Sequence, residues 1–213
     1  MALDQHIQPW DTLADGQTAL RALSAPSEYK ITDFLGAIPF VAAHPLNDRL
    51  AARQVTRVTS THSASSSYHS MSSQIRTLRQ DIASGRVSAS EARSKFQSFA
   101  SKASSTFSAI NGCSVCYGGH SATSMTQSAQ QTYSEFNSLI QTSNRVFGAQ
   151  APTVLSSLSR LDSQFKQNLN LFSQSGVGIQ SIVPPTFTQT VSKAGMSQTS
   201  SFTSHFSSGT SGF

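Results

Sequence analysis

The chain has 213 residues and a formal net charge of +5, with 12% charged and 37% hydrophobic residues. Serine makes up about a fifth of it, and the charge density is roughly half the usual value, which argues against a typical cytosolic enzyme surface. The length suits one ordinary domain with a tail.

The first element in chain order is a candidate sorting signal. Residues 1–30 show no sustained periodicity and contain Trp10, the single tryptophan, so Met1 to about Ile31 reads as a mispredicted first exon or an alternative start. Phe34–Ala43 is a ten-residue apolar run, too short to span a bilayer but of the length of a signal-peptide core. Val41-Ala42-Ala43 supplies small residues for cleavage after Ala43, although Asp33 is a blemish at the start of the run. The following His44–Gln54 resembles the short propeptide of many fungal secreted proteins, cut after Arg53 to leave an N-terminal Gln. The alternative is an extended or helical segment packed on the domain. The organisation expected is an irregular N-terminal segment over 1–54 (with the signal and propeptide remnant at 34–54), a helical domain over 55–208, and a flexible tail over 209–213.

From Val55 the apolar residues recur at three- and four-residue steps, the pattern of amphipathic helices. Val58, Tyr68, Met71, Ile75, Leu78 and Ile82 form a first stripe that stops at Gly85. Ser88-Ala89-Ser90-Glu91 reads as a capping box, with Glu91 reaching back to the cap, and opens a stripe of Ala92, Phe96, Phe99, Ala103, Phe107 and Ile110, closed by Asn111-Gly112. The third stripe is Met125, Ala129, Tyr133, Phe136, Leu139 or Ile140, Val146 and Phe147. Pro152 marks the start of the fourth: Leu155, Leu158, Leu161, Phe165, Leu169 and Phe172. Pro184-Pro185 precedes a weaker fifth of Phe187, Val191, Ala194, Gln198, Phe202 and Phe206, which Gly195 kinks or splits. Only Val177–Val183 alternates in the manner of a strand. The predicted fold is all-α, an up-down antiparallel bundle of four to five amphipathic helices. Its serine-rich outer faces are mediocre helix formers, so packing must hold the helices in place.

Charge is unevenly spread. Six acids face four bases up to Arg53, whereas from Gln54 onward eleven bases face Asp81, Glu91, Glu135 and Asp162, a net of +7. The bases stand singly, with no basic run and no interleaved aromatics, so nucleic acid is not expected as a partner. No transmembrane segment is expected either.

Cys113-Ser114-Val115-Cys116 is the single cysteine pair, and C-x-x-C admits a structural disulfide, half a zinc site or a redox dithiol. A thioredoxin-type site needs a preceding strand, and zinc needs further ligands, for which His120 and either His62 or His69 are candidates. The disulfide, stiffening the turn between the second and third helices, is the simplest reading in an oxidising compartment. Catalytic constellations are lacking: there is no G-x-S-x-G elbow and no phosphate loop, and Glu91 and Asp162 read as a cap and a solvent-face residue. No enzyme activity, cofactor or metal is expected.

Thirteen phenylalanines, nearly all on the stripes, read first as core. A second reading is a seam among Phe99, Phe107, Phe136 and Phe165 that admits a lipid or other apolar ligand. No Asn-x-Ser/Thr sequon occurs, while Thr59–Ser67 and Thr199–Ser211 are candidates for O-glycosylation. The leader, the basic propeptide and the Ser/Thr-rich amphipathic helices over 55–208 resemble small fungal secreted proteins. They are loosely similar to the hydrophobic-surface-binding, cell-wall galactomannoprotein group. That resemblance implies a non-catalytic, secreted or wall-associated helical protein that contacts hydrophobic surfaces. The alternatives are an apolar-ligand module and a secreted effector-like interaction protein.

Overall fold

In the computed structural model, residues 57–118 and 120–207 are described, and all the regular elements among them are helices, with no strand. The processing positions Ala43 and Arg53, the segment 34–54 and the tail 209–213 lie outside the described residues. Helix α1 (Thr61–Ala83) opens on Ser60, whose Oγ accepts the Ser63 amide while the Ser63 Oγ accepts the Ser60 amide, a reciprocal capping box built from two serines. Its stripe of Tyr68, Met71, Ile75, Leu78 and Ile82 is buried.

Helix α2 (Ala89–Asn111) begins with half of the box expected there. The Ser88 Oγ accepts the Glu91 amide at 3.2 Å, but the exposed Glu91 carboxylate makes no return bond to the cap. A 3-10 turn, Ser114–Tyr117, leads into α3 (His120–Phe147), the longest helix described. Val146, expected on the α3 stripe, is exposed instead, while its neighbour Phe147 packs against the core, so the buried face of α3 passes Val146 by.

The fourth stripe is not one α-helix. Short α4 (Ala151–Leu155) passes through a 3-10 segment, Ser156–Leu161, into α5 (Asp162–Gln174). Leu155, Leu158 and Leu161 are spaced by three, so a helix of three residues per turn keeps all of them fully buried on one side. Ser156 and Ser159 each donate to the carbonyl three residues back, reinforcing that turn.

The alternating segment Val177–Val183 is no strand: it contains a 3-10 turn at Ile179–Ser181. The fifth stripe is split into α6 (Phe187–Lys193) and α7 (Ser197–Ser207). Gly195 breaks it at φ +76°, a left-handed conformation that lets the Met196 amide return to the Val191 carbonyl at 3.0 Å. Gln198, counted on that stripe, is exposed. The buried positions of α7 include Thr199 and Thr203.

Helix directions follow from cross-helix bonds. His69 meets Ser128, Ser72 meets Thr132 and Arg76 meets Glu135, so numbers rise together and α1 runs parallel to α3. The α1–α2 turn reverses the chain between them, giving the up-down order expected. Small residues at the α1–α3 seam (Ala64, Ser72, Ser128, Ala129 and Thr132) are buried and let these two helices approach closely. The Thr132 hydroxyl donates at 3.0 Å to the Tyr68 carbonyl across that seam.

Candidate functional site

The chemically distinctive part of the interior is a buried hydrogen-bond hub on Asn168 of α5. Its side chain is fully buried. The hydroxyls of Tyr68 (α1) and Tyr133 (α3) both donate to Asn168 Oδ1 at 2.8 Å. Its Nδ2 donates to Asn111 Oδ1 (α2) at 2.7 Å and to the Tyr117 hydroxyl at 2.8 Å. Asn111 Nδ2 then donates to the Gln164 carbonyl and Oε1, at 3.1 and 3.2 Å. One amide thus uses both donors and both lone pairs, and it ties α5 to four other elements: α1, α2, the 3-10 turn and α3.

Burial governs the tyrosines. It pushes the Tyr68 and Tyr133 phenols well above their ordinary value, and nearby tyrosines add to the effect. Tyr117 is pushed up to about 12 by the same desolvation, with the bonds to Tyr68 and Asn168 pulling the other way. These are neutral hydrogen-bonding groups at ordinary pH, not acids or bases poised for proton transfer.

Cys113 and Cys116, both buried, are disulfide-bonded with Cα atoms 5.4 Å apart. The bridge closes the turn that presents Tyr117 to the hub, and the Tyr117 ring stands edge-on to Phe172 at 5.3 Å. His62 and His120 are exposed, and His69 Nε2 is hydrogen-bonded to Ser128 Oγ at 3.1 Å. Among the described residues no group of His, Cys, Asp and Glu could hold a metal ion.

Three of the four seam residues come together. The Phe107 and Phe165 ring centroids are 4.5 Å apart and those of Phe136 and Phe165 4.8 Å, in tilted contact that fills the space between them. Phe99 is buried two turns earlier on α2. The hollows found lie elsewhere and are open. One is lined by Lys166, Ser197, Gln198, Ser201, Phe202 and His205, the other by Pro185 and residues of α6 and α7.

Residues 62–149 match a family model, infection structure-specific protein 24-like. No curated protein and no solved structure matches the chain. The matched stretch is similar to that family across α1, α2, the disulfide turn and α3. It therefore contains every hub partner contributed by those elements, but not Asn168 itself.

Asp162 was expected on a solvent face, and the structure overturns that reading. It is buried, and its carboxylate accepts the amides of Gln198 and Thr199 at 2.9 and 2.7 Å, while the Thr199 hydroxyl donates to its carbonyl. It caps α7 from a different helix, a charge placed at the positive end of that helix dipole. Periodicity along α5 cannot show this, because the burial comes from α7 packing over it.

Proposed function

We propose that this is a secreted, non-catalytic helical protein acting at the outer surface or wall of a fungal infection structure. The observation that carries the reading is the family match over α1–α3 together with a disulfide inside the matched stretch, since such bridges persist in oxidising compartments. Two features support a non-catalytic role. The buried polar groups of the hub are consumed by one another, and the acids Asp81, Glu135 and Asp162 are taken up in an ion pair, a second ion pair and a helix cap. Val115 and Val146 are the exposed large hydrophobics among the described residues, so the surface presented is Ser, Thr and Gln rather than an apolar face. The filled contacts among Phe107, Phe136 and Phe165 support a solid interior over an apolar-ligand seam.

N-terminal sequencing of the protein recovered from culture medium tests the reading. A start near His44 or Gln54, with no free thiol, is expected; an intact Met1 start on a cytosolic product with two free thiols would sink it.

A further inference from the structure

Asn111 is followed by Gly112, the one Asn-Gly step in the sequence; the other asparagines precede Asp48, Ser138, Arg145, Leu169 and Leu171. In an open chain such a pair is chemically labile. Glycine has no side chain to obstruct its own amide nitrogen as it approaches the side-chain carbonyl carbon of the preceding asparagine, so a five-membered ring closes readily. The backbone does not itself demand glycine here: Gly112 lies at φ −76°, ψ −6°, in the ordinary right-handed region, and a Cβ would meet the Ser108 carbonyl oxygen at 3.4 Å.

The fold restrains both reacting groups. The Gly112 amide, the group that would attack, donates to the Ser108 carbonyl at 3.0 Å as α2 ends. The Asn111 side chain is buried, accepts from Asn168 Nδ2 at 2.7 Å, and donates to the Gln164 carbonyl and Oε1. Turning Asn111 Cγ toward the Gly112 nitrogen therefore requires the hub bonds and the helix end to break together. The Cys113–Cys116 bridge begins one residue later and limits how far the turn opens.

We propose that Asn111 is a latent self-modification site, locked while the hub is intact, which makes prolonged unfolding of this protein one-way. When the hub opens, the Gly112 amide nitrogen gives its proton to solvent and attacks Asn111 Cγ, and Nδ2 leaves as ammonia. Water then hydrolyses the succinimide. Addition at Cγ breaks the Cγ–N bond and leaves an aspartate. Addition at the backbone carbonyl carbon breaks that C–N bond instead and routes the chain through the side chain, as isoaspartate. The reaction exchanges ammonia for water and needs no oxidant.

The aspartate places a carboxylate oxygen where Nδ2 stood, facing the Gln164 carbonyl and Oε1 with no hydrogen to offer either. Gln164 can turn its amide to donate, but its backbone carbonyl cannot. Isoaspartate adds an atom to the backbone at the end of α2 and displaces the turn that carries Tyr117. Neither product rebuilds the hub, so the lifetime of the fold is set by how often the hub opens.

Peptide mapping by mass spectrometry, following each asparagine while the full chain is held at mildly alkaline pH in buffer and in urea, tests the proposal. In urea Asn111 should convert first; in buffer its conversion should be at least about tenfold slower, because only the open fraction reacts. Gly112→Ala should abolish the lead of Asn111 over the other asparagines in urea, which assigns the reaction to ring closure. After removal of urea, unmodified chains should regain a sharp melting transition and converted chains should not. Equal Asn111 rates in buffer and urea would show that the hub is no lock and would overturn the proposal. So would conversion of Asn137 ahead of Asn111 in urea, or wild-type melting of the converted chains.

Discussion

Replacing Asn168 by Leu tests whether the hub holds the bundle together. Leucine is close to asparagine in size, so no large cavity opens, and the main change is the loss of four hydrogen bonds. The Tyr68 and Tyr133 hydroxyls and Asn111 Oδ1 would be left buried without these partners. Each such group costs about 1–3 kcal/mol, which places the sum at roughly 3–6 kcal/mol after local relaxation. A domain of this kind has about 5–15 kcal/mol in total, so the variant should lose a large share of its stability. Tyr68→Phe is the control: it removes one donor and leaves Oδ1 with Tyr133, so it should cost only about 1 kcal/mol. Urea denaturation followed by far-UV circular dichroism gives both values. If Asn168→Leu loses no more than Tyr68→Phe, the hub is not a structural keystone and the reasoning fails.

Alkali probes the same site through its phenols. Tyr68, Tyr117 and Tyr133 have folded values raised above the unfolded value, so their contribution to stability is complete below about pH 10 and is lost as pH rises through the folded values. Absorbance near 295 nm should show these phenols ionising late, together with unfolding, and a simple midpoint at about 10 for all of them would refute the burial argument. Asp162→Ala should cost about 2 kcal/mol and raise hydrogen exchange selectively in Ser197–Ser207; protection unchanged there would remove Asp162 from its capping role. Cys113→Ser/Cys116→Ser should lower Tm by only about 3–5 °C, because the closed loop is short, and a fall of much more than that would mean the bridge organises the bundle beyond its own turn.

Much of the bundle was readable from spacing alone, because burial of apolar side chains imposes a period that survives in the sequence. The stripes through Tyr68–Ile82, Ala92–Ile110 and Met125–Ile140 are the buried faces of α1, α2 and α3. The three-residue steps Leu155, Leu158, Leu161 carry the 3-10 geometry as well, although a stripe of three- and four-residue steps is equally compatible with an α-helix. What spacing could not show is which polar residues are buried. Asn168 and Asp162 look like surface residues along α5, and they become interior only through partners more than thirty residues distant. Asn111 is similar: as the residue before Gly112 it reads as a helix end, yet its side chain points inward to the hub.

The distribution of the hub also decides what the matched stretch can do alone. Residues 62–149 supply Tyr68, Asn111, Tyr117 and Tyr133, all of which require Asn168, and they supply Phe107 and Phe136, whose rings close on Phe165. Both Asn168 and Phe165 belong to α5, outside the match. Cutting the chain after Ala149 would therefore expose an aromatic core and strip a polar network at once. The close α1–α3 pair would survive in part, since its Ser72–Thr132 and Thr132–Tyr68 contacts are internal to the stretch. A fragment of residues 57–149 should then retain helical signal but melt without cooperativity and bind hydrophobic dyes, the behaviour of a collapsed chain lacking fixed packing. Adding residues 150–207 back in the same chain should restore a single sharp transition. A fragment that unfolds cooperatively without α5 would show instead that the three matched helices are a complete folding unit, with the Asn168 hub an accessory to it.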